Sequence, residues 1–178
     1  NDKGLIVDSL SNQNKIWKIN YKFKKNSGLL VFNGFENLQK SKSDYICVFM
    51  CDMSDDVIDL VKYFKMIKKS KKDAIFGSRF IEGSKVKNYP LFKLLLNRVS
   101  NNLIKLIFFS KYNDFTNAFK IYKRSILLKF LPIVSENFNV FLELPLKIIT
   151  RGYSYSITSI NWNGRVHGKS KFKIKEIG

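Results

Sequence analysis

The chain is 178 residues long, 45% hydrophobic and 15% aromatic, which suits one domain with a buried core and is too apolar for a disordered segment. Thirty-two Lys and Arg against 14 Asp and Glu leave a formal charge of +18, a bias toward polyanionic partners: nucleic acid, anionic lipid headgroups or phosphorylated small molecules. No apolar run reaches the roughly 18 residues of a membrane span; the richest stretch, 91–109, is broken by Lys93, Asn97, Arg98, Asn101, Asn102 and Lys105.

Strand and helix signals alternate along the chain. Residues 4–7 read as a short apolar strand ending at Asp8, and residues 17–23 set Trp17, Ile19, Tyr21 and Phe23 on one face in the strand manner. Residues 29–38 carry a helix-like pattern. The apolar run 45–50 reads as a buried strand. A helix follows over 54–69, with Val57, Ile58, Val61, Phe64 and Ile67 on one face and lysines opposite. Residues 74–76 form a strand running into Gly77-Ser78-Arg79, and a polar loop with Gly83 and Pro90 leads to an amphipathic helix over 91–109. Residues 115–122 are irregular or extended, and 124–131 is a short helix stopped by Pro132. A helix over 140–151 is closed by Gly152, with Pro145 expected to kink or shorten it. Residues 154–162 alternate as a strand before a basic, glycine-punctuated tail. Such alternation predicts a three-layer α/β sheet.

The densest chemistry lies over 44–56, where an apolar run ends abruptly in Asp52 at the start of a helix. Open α/β sheets place ligands at the C-terminal ends of strands, beside helix N-termini. A carboxylate there suits a divalent cation bridging to a diphosphate, since Mg²⁺ takes one or two carboxylates plus phosphate oxygens. Ser54, Asp55 and Asp56 also fit the plain role of helix caps. Cys47 and Cys51, four apart in or beside one strand, would hold their Cα atoms about 13 Å apart, too far for a disulfide, and read as reduced packing residues suited to a cytosolic face.

Six segments in order resemble the family 2 glycosyltransferases, and among them the dolichyl-phosphate mannosyltransferase-like enzymes that load a sugar onto a polyprenyl phosphate. Val7-Asp8-Ser9-Leu10-Ser11 resembles V-D-D-G-S, and 44–56 is similar to D-Y-V-V-V-M-D-A-D-L-S-D. Gly77-Ser78-Arg79-Phe80-Ile81 matches G-S-R-F/Y-V, with Lys93 and Arg98 where basic residues recur downstream. Residues 113–120 look like D-x-T-S-G-F-R, and 138–147, containing Glu143, resemble F-x-x-x-x-E-L-x-x-K. Arg165-Val166-His167-Gly168-Lys169-Ser170-Lys171 fits R-x-x-G-x-S-K. The departures are Met50 for the first acid of D-x-D, Ser54 for a Gln, and Ser9 for the second acid of V-D-D-G-S. The chain opens Asn1-Asp2-Lys3, where the resemblance would already have passed its first strand and helix. It is therefore expected to be one catalytic domain, 1–178, lacking the N-terminal strand and any C-terminal extension.

The resemblance implies a GT-A-type, Rossmann-like α/β/α sandwich with a mixed central sheet. It also implies inverting transfer of a hexose from a nucleotide-diphosphate sugar to a polyprenyl phosphate, dolichyl or undecaprenyl. Catalytic roles then fall on Asp52, Asp114 and Arg79, and nucleotide-sugar binding on Asp8, Asp52, Arg165 and Lys171. Arg79, Lys93, Arg98 and Ser170 would bind the acceptor phosphate, and Asp52 with Ser54 would hold Mg²⁺ or Mn²⁺. Each of the basic residues also reads as solvated surface, and Asp114 as a turn cap. Glu143, among leucines on its helix, is expected to pair with a cation near the site. The partners implied are the donor sugar, the lipid phosphate and an anionic membrane surface, with the protein peripheral on the cytosolic face. Two other readings stay open. One is a transferase acting on a polysaccharide or lipid-linked sugar. The other is a non-catalytic basic module for membrane or nucleic acid, although no nucleic acid is expected, because the aromatics sit inside apolar runs instead of forming an exposed stacking face.

Overall fold

A computed structural model of the chain describes residues 5–8, 17–20, 42–50, 54–135 and 139–164, with residues 5–8 and 17–20 described as backbone strands. The helix-like segment 29–38, Asp52 and the tail with Arg165, Ser170 and Lys171 lie outside the described residues.

Among the described residues, six strands form one mixed sheet in the order β2-β1-β3-β6-β4-β7. They are β1 (Leu5–Asp8), β2 (Trp17–Asn20), β3 (Tyr45–Val48), β4 (Ala74–Ser78), β6 (Lys120–Lys123) and β7 (Tyr155–Ser159). β3 and β4 both run antiparallel to β6 between them, while β7 lies parallel to β4. The central strands are short and apolar on both faces, the pattern of a sheet covered on each side. Alternate residues feed two separate apolar clusters. Ile46, Ala74, Phe76 and Tyr122 join Leu144 and Ile148 of the helix Val140–Thr150, whereas Cys47, Ile75 and Ile121 join Leu60, Tyr63 and Ile67 of the helix Val57–Ser70. The architecture is thus α/β with a mixed sheet.

The helices depart from expectation in instructive ways. Over Val57–Ser70 (α1) the buried stripe is Leu60, Tyr63 and Ile67, while Ile58 and Val61 face solvent. The rotation is set by Asp59, buried and accepting the Asn161 N–H at 2.8 Å, which pulls the helix round by one position. Asp56 caps the helix by accepting from Ile58 N at 2.9 Å, whereas Asp55 turns back to accept from Met50 N at 2.8 Å. The polar loop after β4 holds a strand that the sequence conceals: β5 (Lys85–Lys87) pairs in parallel with β8 (Asn161–Asn163) in a second small sheet. Its Lys-Val-Lys pattern has a single apolar residue, too little to register as a periodicity. The long helix α2 (Leu91–Ile107) and the short α3 (Arg124–Leu128) stand where expected.

Pro145 neither ends nor shortens α4 (Val140–Thr150). Having no N–H, it leaves the carbonyl of Phe141, four residues earlier, without its helical donor. That carbonyl instead accepts from Lys120 Nζ at 3.3 Å, so a buried ammonium replaces the missing backbone bond.

Candidate functional site

The site is built where β4 ends. Gly77 is required there by close approach: a Cβ would fall inside the van der Waals radius of Tyr63 Oη and 2.9 Å from Phe119 O. Its carbonyl is held by Tyr112 Oη at 2.9 Å and Asn117 Nδ2 at 3.0 Å, which ties the 77–81 segment to the 113–120 segment.

The next two residues complete that tie. Ser78 Oγ donates to Asn113 Oδ1 at 2.6 Å. Asp114, fully buried, accepts three bonds from Arg79: the backbone N–H and Nε to one oxygen, both 2.9 Å, and Nη2 to the other at 2.7 Å. Such a bidentate fork is the strong form of a carboxylate–guanidinium contact. Phe80, Tyr89 and Trp162 surround the guanidinium with ring centroids 5.3, 5.4 and 5.5 Å away. Burial opposes the Arg79 charge, but the Asp114 carboxylate and its hydrogen bonds outweigh it and raise the guanidinium above its ordinary range. Gly164 keeps the chain after Trp162 close: its N–H donates to Lys87 O, and a side chain there would strike the backbone of Asn88.

A second arginine reaches the same place from α2. Arg98 also lies over the Phe80 ring, 4.1 Å from its centroid, and donates to Asn113 O at 2.9 Å and Asn102 Oδ1 at 3.1 Å. Two guanidinium groups therefore share one phenyl ring, and among the described residues Asp114 pairs with Arg79 while Arg98 bonds only neutral groups, leaving the cluster cationic. Asn97 and Asn101 on α2 both donate to Thr116 Oγ1, at 2.6 and 3.2 Å, and Arg79 Nη2 approaches the same oxygen at 3.4 Å.

Lys120 is the site residue that sequence reasoning missed. It is fully buried, and its ammonium donates to the carbonyls of Phe115, Asn117 and Phe141. Burial draws it down to about 7, with Asp114 pulling the other way. The signal available was the position itself, the basic residue closing the 113–120 segment, next to a proline-bearing helix.

The remaining sequence candidates are spread out. Lys93 is exposed on the first turns of α2, and Ser54 is buried at the start of α1, its carbonyl accepting from Asn163 N. Asp8 ends β1, opposite Ile46 of β3 in register. Glu143 does pair with a cation, Lys147 one turn on, and also accepts the N–H groups of Val134 and Ser135, so its work is to hold the loop before α4. Cys47 is a free, buried thiol, pushed upward by burial. Among the described residues there is no group of three or more His, Cys, Asp or Glu that could hold a metal ion, and Asp52 lies outside them. No helix among them is long and apolar enough to cross a membrane.

No protein-family model matches the chain. Over 107 residues, 59% of its length, the chain is 27% identical to a polyprenol monophosphomannose synthase from Mycolicibacterium smegmatis. That match spans 40% of the length of the mycobacterial protein.

Proposed function

We propose that this chain is catalytic-domain sequence of a GT-A-type glycosyltransferase that moves a hexose from a nucleoside-diphosphate donor to a polyprenyl phosphate at the cytosolic face of a membrane. The likeness to a polyprenol monophosphomannose synthase supports the class. Within the molecule, the observation that carries the reading is the Arg79–Asp114 lock, which joins two segments 35 residues apart in sequence at the C-terminal end of a central strand. That is where open α/β sheets present their ligand groups.

The chemistry asks little of a base. A phosphate monoester is mostly dianionic at neutral pH, with a second pKa of about 6, so the acceptor oxygen is already nucleophilic. It attacks the anomeric carbon as the glycosyl bond to the diphosphate breaks, and the electron pair leaves with the nucleoside diphosphate. The demand is for cations that align two phosphate groups. Arg79 and Arg98, both against Phe80, supply a cationic edge, with Lys93 exposed on α2. Asp114, both oxygens committed to Arg79, is a positioning residue in this scheme.

The test is transfer from a panel of radiolabelled nucleotide hexoses to a short-chain polyprenyl phosphate. A labelled product that partitions into organic solvent, reduced at least tenfold by Arg98→Ala, is the expected result. Absence of lipid-linked sugar with every donor, together with polyanion binding that falls steeply with salt, would replace this reading with a non-catalytic basic module.

A further inference from the structure

A lysine ammonium has three N–H donors and no acceptor, so away from water it is satisfied only where three acceptors converge. Lys120 occupies such a place. Its partners across the sheet, Val48 of β3 and Phe76 of β4, carry no charge. Its Nζ meets three backbone carbonyls: Phe115 O at 3.1 Å, Phe141 O at 3.3 Å and Asn117 O. The Tyr112 ring stands 5.8 Å from the same nitrogen.

Two of the three carbonyls belong to one turn. Asn117 N donates to Asp114 O at 3.1 Å, closing the chain over 114–117. The first residue of that turn is Asp114, both of whose side-chain oxygens are committed to Arg79. Asn97 and Asn101 of α2 reach the turn through Thr116 alone, whereas Lys120 grips the backbone on either side of Thr116. The third carbonyl belongs to α4, where Pro145 has no N–H to offer Phe141. One ammonium thus ties the turn that presents Asp114 to a helix packed on the sheet.

Simple space filling does not account for a charge here. A methionine has nearly the same length and would be buried without the desolvation an ammonium incurs. That cost shows: burial draws Lys120 down to about 7, while Asp114 acts most strongly of the charges around it and holds it up, Arg79 opposing and Asp55 assisting. The ammonium and the Arg79–Asp114 pair are therefore within electrostatic reach of each other.

We propose that Lys120 is a positioning residue: by clamping the carbonyls of Phe115 and Asn117 to α4, it fixes the turn that carries Asp114 and, through Asp114, the direction of the Arg79 guanidinium. That Arg79 then meets a phosphate group rests on the transferase reading; the positioning does not.

The experiment is a double-mutant cycle of Arg79→Met and Asp114→Leu, followed by urea denaturation, in the wild-type and Lys120→Met backgrounds. The cycle reads how far the two residues depend on each other, which a side chain that only fills space leaves unchanged. In Lys120→Met the coupling should fall to less than half, and Lys120→Arg, which keeps the donors, should retain most of it. Lys120→Met/Pro145→Ala gives α4 its own N–H for Phe141 O, and it keeps the cycle measurable if Lys120→Met alone does not fold. Its stability should recover in part while the coupling stays low. An unchanged coupling in Lys120→Met would overturn the proposal, as would a coupling restored by Pro145→Ala, because Lys120 would then serve α4 only. In the transfer assay Lys120→Met should lower kcat about tenfold or more with the donor KM little changed, and Lys120→Arg should restore it; an unchanged kcat in an active enzyme also counts against the proposal. A wild-type chain with no transfer at all would remove the transferase reading and leave the coupling result standing.

Discussion

Replacing Arg79 by Met removes the guanidinium from a carboxylate that has no exposure of its own. Asp114 would keep only the backbone N–H of residue 79. Breaking one side of a buried ion pair typically costs about 3–5 kcal/mol, because the surviving charge is stranded away from water. Loss of contact with the three rings adds to that, each being worth about 0.5–1 kcal/mol. The ion-pair part alone, about 4 kcal/mol, is a large share of the roughly 5–15 kcal/mol that holds a domain folded. With a urea slope of about 2 kcal/mol per molar, the unfolding midpoint should fall by at least about 2 M. Arg79→Lys keeps the charge but not the fork, so it should recover less than half of that loss. Adding Asp114→Leu to Arg79→Met removes the stranded charge. The double variant should then be more stable than Arg79→Met plus Asp114→Leu taken additively, with a coupling of about 2–3 kcal/mol. Equilibrium urea denaturation followed by fluorescence reads all five proteins, the wild type, the three single variants and the double variant. Single-variant losses below about 1 kcal/mol that simply add would refute the picture of a buried, mutually dependent pair.

Three further outcomes are expected. Tyr63 Oη is buried with no hydrogen-bond partner among the described residues and crowds Gly77; Tyr63→Phe should therefore raise stability by about 1 kcal/mol. Gly77→Ala should cost about 3 kcal/mol or more, partly recovered in the Tyr63→Phe background, and equal penalties in both backgrounds would dismiss the clash. Lys120 sits at about 7 in the folded chain against 10.5 for the free side chain, so between those values the unfolded chain binds more protons than the native one. Stability relative to Lys120→Met should consequently rise with pH across that window, by up to about 1.4 kcal/mol per pH unit, and a flat difference between the two proteins would rule the titration out. If Asp52 holds a divalent ion, nucleotide-sugar binding should be sensitive to EDTA, with Asp52→Asn lowering affinity about tenfold; calorimetry showing indifference to both would rule that role out.

Much of the frame was legible in the chain because each element carries its own period. The apolar runs at Tyr45–Val48 and Ala74–Ser78 are short and continuous, as strands covered on both faces must be, and the long helix over Leu91–Ile107 announces itself by amphipathicity. Amphipathicity gives a stripe, however, and not the direction in which it points. In α2 the polar stripe is the one packed inward, because Asn97, Asn101 and Arg98 find Thr116 and Asn113 as partners. In α1 the stripe is turned by the bond from Asn161 to Asp59, 102 residues away. The candidate motifs were visible as separate segments, and their meeting was not. Only the tertiary structure brings Asp114 onto Arg79, sets Arg98 across Phe80, and sends Lys120 to the carbonyl freed by Pro145. Local sequence determines which backbone state and which face each segment favours. Which charges neutralise each other depends on contacts between residues tens of positions apart, and those exist only once the sheet order is fixed.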